Sequence, residues 1–116
     1  MAETGCIFCR IVDGDITADV VREDDATLAF HDLEPRAPVH VLIIPKQHIE
    51  SVNDVTTAER DMMGALIVAA REVAARTGIA DTGYRLVMNS GSDAGQSVGH
   101  VHLHVLGGRS LAWPPG

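Results

Sequence analysis

Three histidines recur at every second position in the segment GHVHLHVLGG, which spans residues 99–108. His100, His102 and His104 alternate there with valine and leucine. Because successive side chains of a strand point to opposite faces, the three imidazoles would share one face, with neighbours roughly 6–7 Å apart. Imidazole serves as an acid, a base, a nucleophile or a metal ligand near neutral pH. Three imidazoles in a row are difficult to explain by packing alone, so the pattern predicts chemistry on that face.

Two kinds of chemistry remain open from these residues. The His-x-His pattern is suited to binding a metal directly, and imidazoles can also attack or hold a phosphate. The polar loop NSGSDAGQS precedes the triplet at residues 89–97. Gly91 and Gly95 allow the backbone to approach a ligand closely, and Gln96 and Ser97 add polar side chains. Amides and hydroxyls suit phosphate oxygens better than a metal ion, so the loop favours phosphate chemistry.

A pair of cysteines, Cys6 and Cys9, lies near the start of the chain with two residues between them. In a reducing compartment such a pair indicates metal ligands or a redox couple before it indicates a structural disulfide. The pair supplies only half of a tetrahedral zinc site, which needs two further ligands. Zinc ligands, free thiols and a redox pair are therefore the interpretations that stay open.

The helices that must position these residues follow from hydrophobic periodicity and end signals. Apolar residues at helical spacing within 7–12 predict a short N-terminal helix that carries the cysteines. The sequence TTAE at 56–59 is a capping signature and Gly78 is a natural stop, so the two bound a longer helix. The predicted apolar stripe of that helix consists of Met62, Met63, Leu66, Ile67, Ala70, Val73 and Ala74.

Short apolar or alternating segments predict the strands. The acidic sequence EDD at 23–25 predicts a hairpin between the first two of them. The order of the elements, three strands, a helix and two strands, predicts an α+β fold in which one sheet carries a helix on one face. The predicted strands cover residues 20–21, 27–30, 39–44, 84–88 and 99–106.

Composition and charge bound the class of protein. The chain has 116 residues, which fits a single domain that spans 1–116. The net charge is −7 and the sequence contains no basic run, which excludes general binding to a nucleic-acid polymer. The apolar stretches are too short to cross a bilayer, and the first residues do not form a secretory signal. We therefore expect no membrane partner and a cytoplasmic location.

The sequence HVHLHV matches the histidine-triad pattern, in which histidines alternate with apolar residues. The wider segments GQSVGHVHLHVLGGRS, AFHDLEPRAPVHVLIIPKQHI and the terminal WPPG resemble the Hint branch, the histidine-triad nucleotide-binding proteins of the HIT superfamily. The resemblance runs from Ile7 to Gly116, and the N-terminal Cys-x-x-Cys is typical of bacterial members. It implies a single HIT domain with a HIT-like fold. That fold has about five antiparallel strands, one long helix and a short N-terminal helix, and its sheets join across a homodimer.

The resemblance also implies an activity. Hint proteins hydrolyse P–N bonds of purine nucleoside phosphoramidates, and they act on aminoacyl-adenylates. His102 would attack the α-phosphorus, and water would then release a nucleoside monophosphate from the nucleotidyl-histidine. This chemistry would require no cofactor. Hydrolysis of dinucleoside polyphosphates, a non-catalytic nucleotide-binding or scaffold role, and a metalloenzyme that uses the triad itself are the alternatives. The residues leave the choice between adenine and guanine open.

The family's functional positions transfer to this chain residue by residue. The main-chain carbonyl of His100 would fix the tautomer of His102, while His104 and Ser97 would contact the phosphate and the leaving group, and His40 would support the triad. The implied catalytic set is thus His102, His104, His100, His40 and Ser97. The implied nucleotide-binding set adds an apolar slot for the purine, Asp32 for the ribose hydroxyls, and loop residues; it comprises Ile7, Phe8, Ile11, Ile16, Phe30, His31, Asp32, Leu33, Asn89, Gly95, Gln96, Ser97, Val98, His102, His104 and, from the partner chain, Trp113.

Each of these positions has an ordinary structural alternative. The apolar residues are typical of a hydrophobic core, Asp32 could cap a turn, and Asn89 is common at the end of a strand. His31 by itself is typical of a solvated strand residue. The resemblance further implies a structural zinc that attaches the N-terminal helix to the sheet, with Cys6, Cys9, His48 and His100 as its ligands.

Overall fold

The structure is a computed structural model of the chain and describes residues 5–116. A five-stranded sheet forms its centre, with strands in the order β1-β2-β3-β5-β4 and every neighbouring pair antiparallel. The predicted five strands, long helix and short N-terminal helix are confirmed. The elements are α1 (Ile7–Val12), β1 (Val20–Glu23), β2 (Thr27–His31), β3 (Val39–Pro45), α2 (Arg60–Arg76), β4 (Tyr84–Val87) and β5 (Leu103–Gly107), with short 3-10 turns at Val52–Asp54 and Thr57–Glu59.

Helix α2 covers one face of the sheet and builds the larger core with it. The capping signature lies where the sequence predicts it: the Thr56 hydroxyl accepts from the Ala58 amide, and the Glu59 carboxylate accepts from the Thr56 amide. It caps the 3-10 turn that leads into α2. Side chains from α2 pack there against alternate residues of β3 and β5. The buried residues of this core include Leu66, Ala69, Ala70, Val73 and Ala74 from the helix, and Val41, Ile43, Leu103 and Val105 from the strands.

The predicted apolar stripe of α2 is wrong at one residue. Ile67 is 53% exposed, and Ala69 is buried instead. Residue 67 lies about 100° around the helix from Leu66, and its side chain is on the outer side of α2. The neighbouring Val68 is also exposed, so the outer side of α2 carries apolar surface.

The opposite face of the sheet carries the histidines and is covered by α1. Since β3 pairs with β5 so that Leu42 lies opposite His104, these two residues share this face with His40. Phe8 and the two cysteines of α1 pack here against Phe30 and Leu42. The imidazoles are therefore enclosed between the sheet and a helix rather than displayed on an open surface.

The last strand begins later than the sequence predicts, at Leu103 rather than at residue 99. Before this point the main chain bonds elsewhere, because the amide of Val101 donates to the carbonyl of Ile49 at 2.7 Å. The predicted alternation of side chains nevertheless extends through the segment. Val101, Leu103 and Val105 face the α2 core, while the histidines face α1.

Within residues 5–116, no helix combines the length and the apolar character that a bilayer crossing requires.

Candidate active site and metal centre

The middle histidine of the triplet is held by the main chain of the first. His102 is 3% exposed, and its Nδ1 donates to the carbonyl oxygen of His100 at 2.8 Å. A carbonyl oxygen can only accept, so Nδ1 carries the proton and, in the neutral ring, Nε2 carries the lone pair. The edge of Phe8 packs against this ring with the centroids 5.2 Å apart. Together these contacts orient a single nitrogen lone pair, which is what a nucleophile or a base requires.

A second pair of imidazoles, His40 and His104, lies beside His102. The amide of Arg36 donates to Nδ1 of His40 at 3.0 Å, and Nε2 of His40 lies 2.9 Å from Nδ1 of His104. Burial lowers the pKa of His40, an effect that the Asp32 carboxylate opposes and the Arg36 charge reinforces. The ring is therefore neutral at pH 7. Its single proton must be on Nε2, because Nδ1 accepts from Arg36, and it is donated to His104.

His104 completes this chain of donors and acceptors. Burial lowers its pKa to about 4, and the neighbouring charges of His102 and His40 act in the same direction. Because Nδ1 of the neutral ring accepts from His40, its proton is on Nε2. Among the residues that the structure describes, this buried nitrogen has no hydrogen-bond partner. An unsatisfied buried donor costs about 1–3 kcal/mol, and a ligand that brings an acceptor would remove that cost.

Asp32 takes part in two contacts next to this pair. Its Oδ1 accepts from the amide of Glu34 at 2.8 Å, which is the turn-capping role expected of an aspartate before a turn. Its Oδ2 lies 3.4 Å from Nε2 of His40. Asp32, His40 and His104 thus bring three potential metal ligands within 4.8 Å of one another. Since Nε2 of His40 carries a proton, however, this group is arranged to pass hydrogen bonds rather than to ligate a metal.

The cysteines form a second group with two histidines, His48 and His100, beside α1. Cys6 caps the N-terminus of α1, Cys9 lies in its first turn, and His48 follows β3. The Sγ atom of Cys9 lies 3.2 Å from Nδ1 of His48, and Sγ of Cys6 lies 3.4 Å from Nδ1 of His100. The two Nδ1 atoms are 3.2 Å apart. All four donor atoms lie within 4.8 Å of one another, so the group could hold a metal ion.

The geometry of this group fits tetrahedral zinc. Zinc–nitrogen bonds of about 2.0–2.1 Å and zinc–sulfur bonds of about 2.3 Å place two nitrogens about 3.3 Å apart and a sulfur about 3.6 Å from a nitrogen. The observed separations are 3.2 Å between nitrogens and 3.2–3.5 Å between sulfur and nitrogen. Nε2 of His100 donates to the carbonyl of Pro45 at 2.8 Å, so its Nδ1 lone pair faces the cysteines. Burial lowers the pKa of His100, which keeps the ring in the form that binds metals.

The residues predicted for a purine slot divide into buried and exposed members. Phe8 and Phe30 are buried and pack edge to face with their centroids 5.7 Å apart, as a hydrophobic core would have them. Ile11 and Ile16 are half-buried. Ile7 is 48% exposed and Leu33 is 96% exposed, and His31 beside it is exposed.

The polar loop before the triplet is held together by one glutamine. Oε1 of Gln96 accepts from the amide of Gly91, and its Nε2 donates to the carbonyls of Glu50 and Val98. Gly91 and Gly95 have φ angles of 87° and 80°, which only glycine adopts readily. Asn89, at the start of the loop, is half-buried.

Ser97, which the resemblance assigns to the phosphate, lies beside Cys6 and His48. With Cys6, His48, Glu50 and other residues it lines a cavity of about 340 Å³ next to the four-donor group. The end of the loop that carries Ser97 is therefore close to Cys6. The sequence carries no signal for this proximity.

Two main-chain groups that the sequence does not reveal set the tautomers of the site. The carbonyl of Pro45 fixes the ring of His100, and the amide of Arg36 fixes the ring of His40. Main-chain groups are common to all residue types, so no residue pattern could have identified them. The proximity of Asp32 to His40 is a third contact that the sequence does not predict.

The lowered pKa of His104 predicts a loss of stability in acid. The unfolded chain takes up a proton near pH 6.5 and the folded chain only near pH 4, so the free energy of unfolding should fall as the pH decreases through this window. The variant His104→Asn, which does not titrate there, should show a shallower decline of the urea midpoint between about pH 7 and pH 5. His31→Asn, at an exposed histidine, is the matched control and should decline as the wild type does. Equal slopes for His104→Asn and the wild type would contradict the prediction.

Comparisons with known proteins agree with this arrangement. The HIT domain matches residues 13–111 of the chain. An uncharacterized HIT-like protein of Synechococcus elongatus is 49% identical over 110 residues, which cover 95% of this chain and 96% of that protein.

Two solved structures extend the comparison to the fold. A HIT family hydrolase from Legionella pneumophila superposes with a TM-score of 0.95 at 48% identity, and the match covers 97% of this chain and all of that one. A histidine triad nucleotide-binding protein from Candida albicans superposes with a TM-score of 0.81 at 30% identity, over 95% of this chain and 83% of that one. The match to the HIT domain over most of the chain, and the triad geometry that accompanies it, show that this protein belongs to the HIT domain family.

Proposed function

We propose that the protein is a nucleotide-binding hydrolase of the Hint type, which cleaves the P–N bond of purine nucleoside phosphoramidates and also acts on aminoacyl-adenylates. One observation carries the proposal. The lone pair on Nε2 of His102 is oriented by the His100 carbonyl, and the buried N–H of His104 next to it has no partner among the described residues. The two ring centroids are 5.0 Å apart. A nucleophile beside an unpaired donor suits a substrate that offers phosphorus to one and an oxygen to the other.

The first step forms a bond between Nε2 of His102 and the α-phosphorus. The P–N bond of the substrate breaks, its electron pair leaves on the amine nitrogen, and the amine takes a proton from solvent water. The N–H of His104 donates to a phosphoryl oxygen that gains charge in the transition state. The proton on Nδ1 of His102 remains bound to the His100 carbonyl, which stabilises the positive charge that forms on the ring.

The second step hydrolyses the nucleotidyl-histidine. Water attacks the phosphorus, and the bond to Nε2 breaks with its electron pair returning to the imidazole. The proton released by this water neutralises the hydroxide left by the first step. The products are the amine and a nucleoside monophosphate, and the enzyme returns to its starting state. Division of one substitution into two lowers the barrier of each.

The nucleotide would lie across α1 and the loops on the histidine face. The solved Candida albicans protein is named as nucleotide-binding, which supports a nucleotide as the ligand. We assign the purine to the apolar side chains that surround Phe8, and the ribose hydroxyls to Asp32. The phosphate would meet the loop that Gln96 holds. The proposed binding residues are Ile7, Phe8, Ile11, Ile16, Phe30, His31, Asp32, Leu33, Asn89, Gly95, Gln96, Ser97, Val98, His102 and His104.

The variant His102→Ala should abolish hydrolysis of an adenosine phosphoramidate and bind AMP about as tightly as the wild type does. The reason is that the variant removes the nucleophile and leaves the base and ribose contacts in place. Release of AMP and of the amine, followed by chromatography, measures the activity, and mass spectrometry of a quenched reaction detects the nucleotidyl adduct.

Substantial residual turnover in His102→Ala would rule out the covalent mechanism. Rates on adenosine phosphoramidates, guanosine phosphoramidates and diadenosine polyphosphates are compared in the same assay. A preference for the polyphosphates would make the protein a dinucleoside polyphosphate hydrolase, and binding without turnover would make it a non-catalytic nucleotide-binding protein.

We further propose that Cys6, Cys9, His48 and His100 hold a structural zinc ion. The match of the donor separations to tetrahedral zinc supports this assignment. Four protein ligands leave no open position, so the ion would stabilise the fold and attach α1 to the sheet. Protein purified without chelator should contain about one zinc per chain.

The variants Cys6→Ser and His48→Ala should lose zinc and unfold at a lower temperature, because each removes one of four ligands. His31→Ala, a histidine outside the group, is the matched control and should retain the metal. Elemental analysis and thermal denaturation measure both effects. Wild-type protein without metal, in which both thiols titrate rapidly in the native state, would contradict the site.

The C-terminal segment and the exposed apolar surface support a homodimer. Trp113 is 78% exposed and contacts the guanidinium of Arg85, at 5.8 Å from its ring centroid. Ile67 and Val68 on α2 and Tyr84 on the edge strand β4 are exposed as well. Large exposed apolar side chains are typical of interaction surfaces, and two-fold dimers are the commonest assembly. We propose that the sheets join across such a dimer and that Trp113 lines the leaving-group side of the partner's site.

Deletion of residues 112–116 should change the preference among amine leaving groups more than it changes the affinity for the nucleoside monophosphate. The expected reason is that Trp113 contacts the amine and not the nucleoside. A series of phosphoramidates with different amines measures the preference, and light scattering should report a dimer. A monomer at micromolar concentration, or an unchanged leaving-group profile, would disprove this role.

A further inference from the structure

His100 belongs to two parts of the molecule at once. Its ring takes part in the four-donor group through Nδ1, and its main-chain carbonyl orients His102. Phe8 provides a second connection, since it lies between the two cysteines in the sequence and packs on the rings of both His100 and His102. A structural change at the cysteines can therefore reach His102 by two routes, one through His100 and one through Phe8.

We propose that Cys6 and Cys9 form a redox switch on His102, in which oxidation by hydrogen peroxide to a disulfide releases the metal and misaligns the nucleophile. The proposal rests on the zinc centre proposed above. A zinc ion that only stabilised the fold would have no effect on the reaction at His102. The present proposal therefore adds a regulatory function to that centre.

An oxidant has a path to Cys6. This residue lines the 340 Å³ cavity with His48, Glu50 and Ser97, whereas Cys9 is 1% exposed and does not line the cavity. The amide of Cys9 donates to Sγ of Cys6 at 3.4 Å, so the two cysteines are already in contact. Cys6 is thus the attacking sulfur, and Cys9 is placed to resolve the product.

The chemistry balances with peroxide as the only oxidant. The Cys6 thiolate attacks one peroxide oxygen, the O–O bond breaks, and hydroxide leaves the sulfenic acid behind. The Cys9 thiolate attacks the sulfenic sulfur, the S–O bond breaks, and a second hydroxide leaves. Two protons convert the hydroxides to water, and the cysteines have lost two electrons to peroxide. The disulfide sulfurs no longer carry the charge that holds the ion, so the group releases it.

Release of the ion removes one restraint on His100 and α1. The hydrogen bond from Nε2 of His100 to Pro45 remains, but the ring loses its partners on the Nδ1 side. Formation of the disulfide draws Sγ of Cys6 and Sγ of Cys9 together from a separation of up to 4.8 Å. That movement displaces the first turn of α1 and the Phe8 ring within it. His102 then loses both its packing and the fixed position of its acceptor.

The test uses full-length, zinc-loaded protein titrated with hydrogen peroxide. A chromogenic chelator reports the released zinc, and mass spectrometry reports the loss of two hydrogens from the chain. Nitrogen-15 NMR follows the Nδ1–H signal of His102, and hydrolysis of an adenosine phosphoramidate gives the turnover. Circular dichroism follows the sheet. The double variant Cys6→Ser/Cys9→Ser keeps every methionine, so it is the matched control for oxidation elsewhere.

Disulfide formation, zinc release and loss of the His102 signal should advance together. Turnover should fall by about tenfold to a hundredfold, the range that loss of outer-shell support to a site produces. Reduction with dithiothreitol and addition of zinc should restore all four readouts. The double variant lacks two of the zinc ligands, so its His102 signal should already be lost before peroxide is added, and peroxide should cause no further change in the signal or the turnover.

Three results would overturn the switch. Zinc could be retained after disulfide formation, or it could be released while the His102 signal and the turnover stay constant. Loss of the dichroism of the sheet together with turnover would make the event an unfolding rather than a switch. Absence of turnover in the reduced protein would instead refute the proposed hydrolase, and the zinc, mass and NMR readouts would still decide the switch.

Discussion

A single main-chain hydrogen bond organises the site: the carbonyl of His100 accepts from Nδ1 of His102 at 2.8 Å. Because a carbonyl cannot donate, this bond selects one tautomer and leaves the lone pair on Nε2. The bond is only as well placed as the main chain of His100. That main chain is placed by its own ring, which binds the Pro45 carbonyl on one side and faces the cysteines on the other. One residue thus connects β3, α1 and the candidate nucleophile.

The two faces of the sheet have different roles: one carries the apolar core that stabilises the fold, and the other carries the histidines of the candidate site. The α2 face is apolar, and burial of each large aliphatic side chain there contributes about 1.5–3 kcal/mol. The packing is close at Gly107, where an added Cβ would lie 2.7 Å from Cδ1 of Ile79. The opposite face buries imidazoles, which costs free energy unless their nitrogens are paired. Stability supplied on the first face allows polar groups to be held in a fixed arrangement on the second.

Proton positions on the histidine face follow from one chain of donors and acceptors. The Arg36 amide donates to His40, His40 donates to His104, and the chain ends at an N–H of His104 that has no partner among the described residues. Burial lowers the pKa of both rings, so each carries one proton at neutral pH and the direction of the chain is unambiguous. The same burial makes the fold sensitive to acid, since the unfolded chain accepts protons that the folded site excludes. The unpaired donor and the sensitivity to acid therefore have one cause.

The sequence alone determined the elements of the fold and the residue types of the site. Apolar periods of two and 3.6 predicted five strands and two helices, and the alternation of His100, His102 and His104 with apolar residues placed them on opposite faces. These signals are local, because they depend on side-chain direction within one element. They were insufficient where long-range contacts decide, as at Ile67, which is exposed, and at the start of β5.

Only the tertiary structure decided which nitrogen of each ring carries the proton. The decisive partners are main-chain groups, such as the Pro45 carbonyl, which lies 55 residues from His100 in the sequence, and the Arg36 amide. Tertiary structure also brought the two cysteines to His48 and His100, although each pair is distant in sequence from the other. Every residue has a carbonyl, and every residue but proline an amide, so residue identity does not reveal which of them meets an imidazole. That choice is made when the strands pair and α1 packs on the sheet.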